Sequence, residues 1–276
     1  MGDFTMKQIR RLTALLLTLC VLFTLAAPAF AASSVQSEMK DSAEYMLSTV
    51  KAPEVGSIGG EWAVIGLARS GCSVPANYFE SYYARVEKYV KDCKGVLHER
   101  KYTEYSRVIL ALTAIGKDPS NVAGYDLLKP LGDFEKTVWQ GINGPIWALI
   151  ALDSGNYDIP KNSEAKTQAT RQLYIDEILK NQMKDGGWNL TGSGDSDVDL
   201  TAMALQALAK YREDADVLAA VERGVTALAD LQEPNGAYTS WGEENSESVS
   251  QVIVALTELN ISPDDERFVK NGQTLE

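Results

Sequence analysis

The chain has 276 residues and a formal net charge of −12, with 26 basic and 38 acidic side chains and a single histidine. This acidic balance, without a basic patch, excludes nucleic acids and anionic membrane surfaces as partners. Even without its N-terminal segment the chain is long enough for one domain with a sizeable core.

The first 31 residues are predicted to be a signal peptide. Three basic side chains precede an apolar run over residues 12–27, and the triplet 29–31, Ala-Phe-Ala, fits a small-x-small cleavage site. The apolar run is short for a membrane span, so we expect cleavage and a mature chain that starts near Ala32. We therefore expect a secreted or cell-surface bacterial protein, in which Cys72 and Cys93 either pair or stay reduced.

A helical hairpin repeats along the rest of the chain. A leucine preceded by a small residue recurs at intervals of 40 to 56 residues, within apolar runs rich in small side chains. Repeats of this length indicate stacked or ring-closed helical hairpins. We predict an all-α fold with amphipathic helices outside and apolar helices inside. The five small-leucine pairs are Gly66-Leu67, Ala111-Leu112, Ala151-Leu152, Ala207-Leu208 and Ala255-Leu256.

Prolines follow four of these leucines by seven or eight residues. Proline is favoured at the first position of a helix, so each is predicted to open the next outer helix. A further helix is predicted to begin at Glu266. The prolines are Pro75, Pro119, Pro160 and Pro263.

A seven-residue phrase occurs twice, as Gln182-Met-Lys-Asp-Gly-Gly-Trp188 and as Gln232-Glu-Pro-Asn-Gly-Ala-Tyr238. Its glycine is predicted to stop a helix, after which the aromatic side chain packs back onto the fold. The phrase and the hairpin period resemble the prenyltransferase and squalene oxidase repeat, over about residues 34–276.

The resemblance implies that residues 32–276 form an α/α toroid (barrel) of five to six hairpins with a cavity at one mouth. The sequence stops at Glu276 without the inner partner expected after Glu266, so we expect either an open ring or a piece of a longer protein, and favour the piece. The repeat family includes terpenoid cyclases, protein prenyltransferase β subunits and cobalamin carriers of the intrinsic-factor type. Because these proteins differ in activity, the resemblance implies a fold and leaves the function open.

Three carboxylates at the start of an inner helix, those of Asp195, Asp197 and Asp199, resemble part of a catalytic motif. Class II terpene cyclases of this family carry Asp-x-Asp-Asp there, and its middle Asp protonates an alkene. Asp197 matches the first position and Asp199 the acidic one, but Leu200 replaces the last Asp, which weakens the case for a protonated Asp199. Capping of backbone N–H groups is the alternative, because polar residues hold the same offset in three other hairpins. These are Thr103, Asn143 and Glu247.

No metal site or cofactor is predicted. The Asp195–Asp199 run lacks the glycine and glutamate that a helix–loop–helix calcium site needs at its sixth and twelfth positions. The zinc pattern of the prenyltransferases is absent, because Asp92 directly adjoins Cys93 and the only histidine, His98, is close by in a turn.

Tryptophans near the starts of the inner helices are predicted to lie at one mouth of the barrel, where they pack in the core or line a binding pocket. The set comprises Trp62, Trp139, Trp147 and Trp241. No catalytic residue is assigned. The candidate ligand-binding residues are Asp197, Asp199, Trp241, Glu247, Tyr238 and Trp147.

These observations favour a non-catalytic ligand-binding toroid, similar to the toroid half of the cobalamin carriers, with further domains expected beyond residue 276. The expected ligand is a small molecule or a glycan, and cobalamin is named only by family analogy. One alternative is a terpene-cyclase-like enzyme with Asp199 as general acid, although only 8% of residues are aromatic and carbocation chemistry uses aromatic faces. The other is a carbohydrate-active toroid that uses Asp199 and Glu247.

Overall fold

The computed structural model describes residues 35–56 and 59–275. The predicted signal peptide lies outside the described residues. The elements are α1 (35–49), α2 (Glu61–Arg69), α3 (Ala76–Asp92), α4 (Thr103–Ala114), a 3₁₀ turn (Lys129–Gly132), α5 (Phe134–Val138), α6 (Asn143–Ser154), α7 (Arg171–Lys180), α8 (Val198–Leu208), a 3₁₀ turn (Ala209–Tyr211), α9 (Ala215–Leu231), β1 (Thr239–Ser240), β2 (Glu243–Glu244), α10 (Ser246–Glu258) and a 3₁₀ turn (Glu266–Phe268).

The described residues are mostly helical, as the predicted all-α class requires. The even-numbered helices form an inner row, in which α2 packs on α4, α4 on α6, α6 on α8 and α8 on α10. On the outside of this row, α7 packs on α6 and on α9, and α9 packs on α8. The only regular strands among the described residues are β1 and β2, which pair as a short hairpin before α10.

The inner helices run in the same direction. At one end, the Thr103 backbone N–H donates to Gln140 Oε1 at 3.2 Å, which joins the start of α4 to the residues before α6. At the other end, Arg212 Nη1 donates to the Leu259 carbonyl at 3.0 Å, so the chain after α8 meets the end of α10. We call the end where the inner helices begin the N-terminal rim.

The repeated leucines form the buried seam between the layers. All five are at most 1% exposed, and the small residue before four of them is also buried. Each fully buried leucine stabilises the fold by about 1.5–3 kcal/mol, and the small neighbour allows adjacent helices to approach closely. The leucines are Leu67, Leu112, Leu152, Leu208 and Leu256.

The glutamine of the repeated phrase ties one hairpin to the next. Gln182 Nε2 donates to the Gly186 carbonyl at 2.7 Å and to the Ala220 carbonyl of α9 at 2.8 Å. Gln232 Nε2 makes the equivalent bonds, to the Gly236 carbonyl and to the Phe268 carbonyl, both at 3.0 Å. Each amide therefore closes its own turn and also binds the following outer element.

The aromatic residue of the phrase fastens the turn to the preceding helix. Trp188 Nε1 donates to the Ile178 carbonyl at 2.8 Å, and the Tyr238 hydroxyl donates to the Leu228 carbonyl at 2.9 Å. Both aromatic side chains are fully buried. The acceptor lies ten residues before the aromatic residue in each copy, so the two phrases are structurally equivalent staples, as their sequence predicted.

The prediction that four prolines open outer helices is wrong in its detail. Pro75 is the N-cap of α3, one residue outside the helix. The residues after Pro119 form a loop, because an Ala123-Gly124 turn with positive φ joins the Val122–Tyr125 bridge. The third outer element is consequently reduced to a 3₁₀ turn and the short α5.

The other two proline predictions are also corrected. The stretch that follows Pro160 is a loop, and α7 begins only at Arg171. The helix predicted at Glu266 is a single 3₁₀ turn. It ends where Lys270 pairs with Gln273 around an Asn-Gly turn, a dipeptide that favours tight reversal over helix.

Candidate functional site

One face of the inner row is not covered by the outer layer. Residues on this face follow a spacing of four and three along each helix, and they are half buried or exposed while their neighbours are buried. We call this surface the free face. Its row nearer the N-terminal rim comprises Trp62, Arg107, Trp147, Met203 and Gln251, and its second row comprises Ile65, Leu110, Ile150, Gln206 and Val254.

Two tryptophans meet across the first three helices of the free face. The ring centroids of Trp62 on α2 and Trp147 on α6 are 5.3 Å apart, although α4 lies between these helices. Two helices separated by a third in a flat row would have axes roughly 16–20 Å apart. The two indoles therefore reach across the face of α4 to meet. Trp62 remains 44% exposed, so the pair offers aromatic surface to solvent.

Asp199 lies at the N-terminal rim, in the first turn of α8. Its Oδ2 accepts a hydrogen bond from Ser240 Oγ at 2.9 Å. Its Oδ1 is inaccessible to solvent and has no hydrogen-bond partner among the described residues. A buried carboxylate oxygen without a donor is uncommon in folded proteins, and Asp199 Oδ1 is such an exception.

The interpretation of Asp199 as a helix cap is wrong. The N-cap of α8 is Asp197, whose Oδ1 accepts from the Leu200 backbone N–H at 2.8 Å. Burial raises the pKa of Asp197, and the charge of Asp199 raises it further. Asp197 caps the helix because its backbone is extended, so that its side chain can turn back to the first backbone N–H groups. A residue inside the first turn, such as Asp199, cannot do so.

Capping is likewise absent at the equivalent polar positions. Asn245 caps α10, accepting from Ser248 N at 2.8 Å, and Glu247 is exposed within the first turn. The helices that begin at Thr103 and Asn143 have no side-chain cap. All four polar residues, Asp199 included, therefore stand at the rim end of the free face with no capping role.

Tyr238 is not available to a ligand. Its side chain is fully buried, and its hydroxyl is bonded to the Leu228 carbonyl. Desolvation by this burial raises the pKa of the Tyr238 hydroxyl. The sequence grouped Tyr238 with the mouth because it is near Trp241, but the staple turns its ring into the core.

Trp241 lies at the rim and outside the free face. It occupies the turn between β1 and β2, is 90% exposed and has a positive φ of 55°. Trp139 is also exposed near the rim, where the Arg100 guanidinium carbon lies 5.1 Å from its ring centroid. Of the predicted binding residues, the structure therefore brings Asp199 and Trp241 together through Ser240, and it places Trp147 on the free face.

Sequence reasoning missed a buried ionic group at the same rim. Glu61 is fully buried, and its Oε2 accepts from Arg107 Nε at 2.9 Å. Its Oε1 accepts from the Gly56 backbone N–H at 3.0 Å and from the Tyr82 hydroxyl at 3.4 Å. Arg107 also pairs with Glu104. The repeat contained a signal for this pair, because Arg107 occupies the position that Trp62 and Trp147 hold in two other hairpins.

The described residues contain no group of three or more His, Cys, Asp or Glu side chains that could hold a metal ion. Cys72 and Cys93 are free thiols. Partial burial raises the pKa of the Cys93 thiol. Within the described ranges, no helix has the length and apolar character needed to span a membrane.

Comparisons with protein-family models, with curated proteins and with solved structures found no match. Function is therefore inferred from the free face and the N-terminal rim.

Proposed function

We propose that this protein is a secreted or cell-surface binding module that captures a small molecule or a glycan on its free face without chemical change. The parallel packing of successive inner helices supports reading the row as an arc of the α/α toroid that the repeat resemblance implies. The signal-like N-terminal segment supports export.

The observation that carries the proposal is the contact between Trp62 and Trp147. An aromatic pair that is partly exposed offers flat apolar surface on which a ring or an apolar chain can stack. Apolar side chains continue this surface along the second row, through Ile65, Leu110 and Ile150. Polar groups at the rim, such as the Asp199 carboxylate, would orient a ligand that carries hydroxyl or amide donors.

Catalysis is less well supported than binding. Protonation of an alkene requires a strong acid held in a dry, enclosed site. The free face is an open surface in the described part of the chain. Two shallow depressions lie elsewhere. One lies between the ends of α8 and α10, and the other lies between α9 and the loop that contains Asp185. An open face does not supply the dry, enclosed site that carbocation chemistry needs.

Native mass spectrometry tests the proposal directly. The chain from Ala32 onward would be incubated with corrinoids, linear terpenes and oligosaccharides in separate experiments. We expect one class to be retained at unchanged mass, and Trp147→Ala to weaken its binding at least about tenfold through loss of the stacking surface. Trp139→Ala is the matched control, because Trp139 is exposed but lies outside the free face.

Two results would overturn the proposal. Unchanged binding in Trp147→Ala, with the fold intact by circular dichroism, would remove the free face as the site. Release of a terpene with the same mass but a new retention time would indicate a cyclase. If the Asp199→Asn variant released no such product, the cyclase would be established instead.

A further inference from the structure

The hairpin before α10 holds a tryptophan in an unfavourable backbone conformation. Strands β1 and β2 leave Trp241 and Gly242 as a two-residue turn. Both residues have positive φ, 55° and 86°, as a type I′ turn requires. Asn-Gly is the favoured pair there, and a bulky residue in the left-handed region costs conformational energy.

Folding gains little that offsets this cost. The Trp241 side chain is 90% exposed. It makes no aromatic or cation contact with another described residue. Unfavourable backbone conformations of this kind cluster at ligand clamps and other functional sites. An exposed tryptophan held in such a turn is therefore best explained by a contact outside the chain.

The shape of this feature favours a macromolecular partner. Small-molecule sites are concave and enclose most of the ligand surface. Trp241 instead projects from the tip of a hairpin. Projecting tryptophans are frequent anchors of protein–protein interfaces, where they meet a segment of the partner that folds around them.

The charge around the hairpin selects a basic partner. Residues 233–250 contain four glutamates and no Lys, Arg or His. None of the four forms an ion pair with a described residue. Complementary charge on a partner would steer its approach and fix its register. The four are Glu233, Glu243, Glu244 and Glu247.

The same rim already shows how an indole is covered. The Arg100 guanidinium carbon lies 5.1 Å from the ring centroid of Trp139. A planar guanidinium is weakly hydrated and stacks on aromatic faces more readily than an ammonium group. Trp241 presents the same indole chemistry, with acidic neighbours and no internal arginine over its ring in the described structure.

We propose that the Trp241 hairpin docks an arginine-rich segment of a partner protein. One guanidinium stacks on the indole of Trp241, and neighbouring basic side chains pair with Glu243, Glu244 and Glu247. The indole of Trp241 lies outside the free face, and Glu247 alone stands at the rim end of both surfaces.

Fluorescence anisotropy with two labelled peptides, one of arginine–glycine and one of lysine–glycine repeats, tests the proposal on the chain from Ala32 onward. The arginine peptide is expected to bind more tightly than the lysine peptide, and Trp241→Asn is expected to weaken binding of the arginine peptide about tenfold. The melting temperature of Trp241→Asn is expected to rise, since Asn suits the turn, so lost binding cannot be attributed to unfolding. Glu243→Gln with Glu244→Gln should weaken both peptides and reduce the dependence of binding on salt.

Leu218→Gln serves as the control, because Leu218 is an exposed apolar residue on the outer helix α9 and should leave peptide binding unchanged. Unchanged affinity of the arginine peptide for Trp241→Asn would overturn the proposal, as would equal affinity of the two peptides for the parent chain. A third result would also overturn the proposal. If neither peptide bound the parent chain, and an oligosaccharide bound the parent chain but not Trp241→Asn, the hairpin would be assigned to glycan recognition. Trp147→Ala separates this surface from the free face, since it should leave peptide binding intact.

Discussion

Two regions of the molecule are joined by different chemistry, the early inner helices by an ionic pair and the later outer elements by neutral hydrogen bonds. In the last two hairpins, a buried aromatic side chain and a glutamine amide form staples of neutral hydrogen bonds, as at Gln182 and Trp188. Between α2 and α4, a buried carboxylate and an arginine form an ionic joint, Glu61 with Arg107. The repeat thus constrains where helices pack and leaves the joining interaction free to differ.

The ionic joint is expected to respond most strongly to a single substitution. Arg107→Leu would leave Glu61 buried without its countercharge, and removing one partner of a buried pair costs about 3 kcal/mol or more. Urea denaturation followed by circular dichroism would measure the loss of unfolding free energy.

The double variant Glu61→Gln with Arg107→Leu is the matched control. It removes the charge and keeps an oxygen that accepts from the Gly56 N–H, so we expect it to recover most of the stability. Exposed ion pairs contribute less than about 1 kcal/mol. If the single variant lost less unfolding free energy than this, solvent would be replacing the arginine, and the ionic joint would be no more sensitive to substitution than the staples.

The staples are expected to be sensitive to backbone space instead of charge. Gly186 has a φ of 99°, and a Cβ added there would lie 2.7 Å from the Arg223 carbonyl oxygen. Gly186→Ala should therefore cost at least about 2 kcal/mol, since α9 must move. Gly192, at a φ of 68°, has nothing within 4 Å, so Gly192→Ala should cost only about 1 kcal/mol. Equal losses in thermal unfolding would mean that the staple does not fix the distance to α9.

The smallest effect is expected at Asp197, the cap beside the last staples. Burial raises its pKa in the folded state above the usual 3.8, so the folded protein binds this proton more tightly than the unfolded chain does. Stability should therefore fall as pH rises from 3.8 through the folded pKa of Asp197. Asp197→Asn keeps a capping side chain and removes this titration. Denaturation at pH 4, 5 and 6 should show a flatter profile for the variant, and identical slopes would contradict the assignment.

The inner row could be predicted because its signal is periodic and apolar. Five leucines with small neighbours mark positions that must be buried on every turn of the repeat, and no polar interaction competes for them. The staples could be predicted for a similar reason, because glycine, glutamine and an aromatic residue at fixed spacing serve a single local geometry.

The candidate site was less predictable because its residues depend on directions that spacing does not give. Asp197 and Asp199 are two residues apart, and only the extended backbone at Asp197 decides which one caps α8. Tyr238 and Trp241 are three residues apart, and the hairpin sends one ring into the core and the other into solvent. The Glu61–Arg107 pair joins two hairpins across 46 residues, beyond the reach of a local pattern.

The neighbour-to-neighbour packing of the inner helices has a consequence for how stability is distributed along the chain. Within the described chain, each inner helix packs on the inner helix before and after it, and α2 and α10 are not a packed pair. The stability of the chain should therefore approach a sum of hairpin and interface terms. Such a chain can add one hairpin at a time to those already folded, so the loss of an end hairpin should leave the rest of the row able to fold.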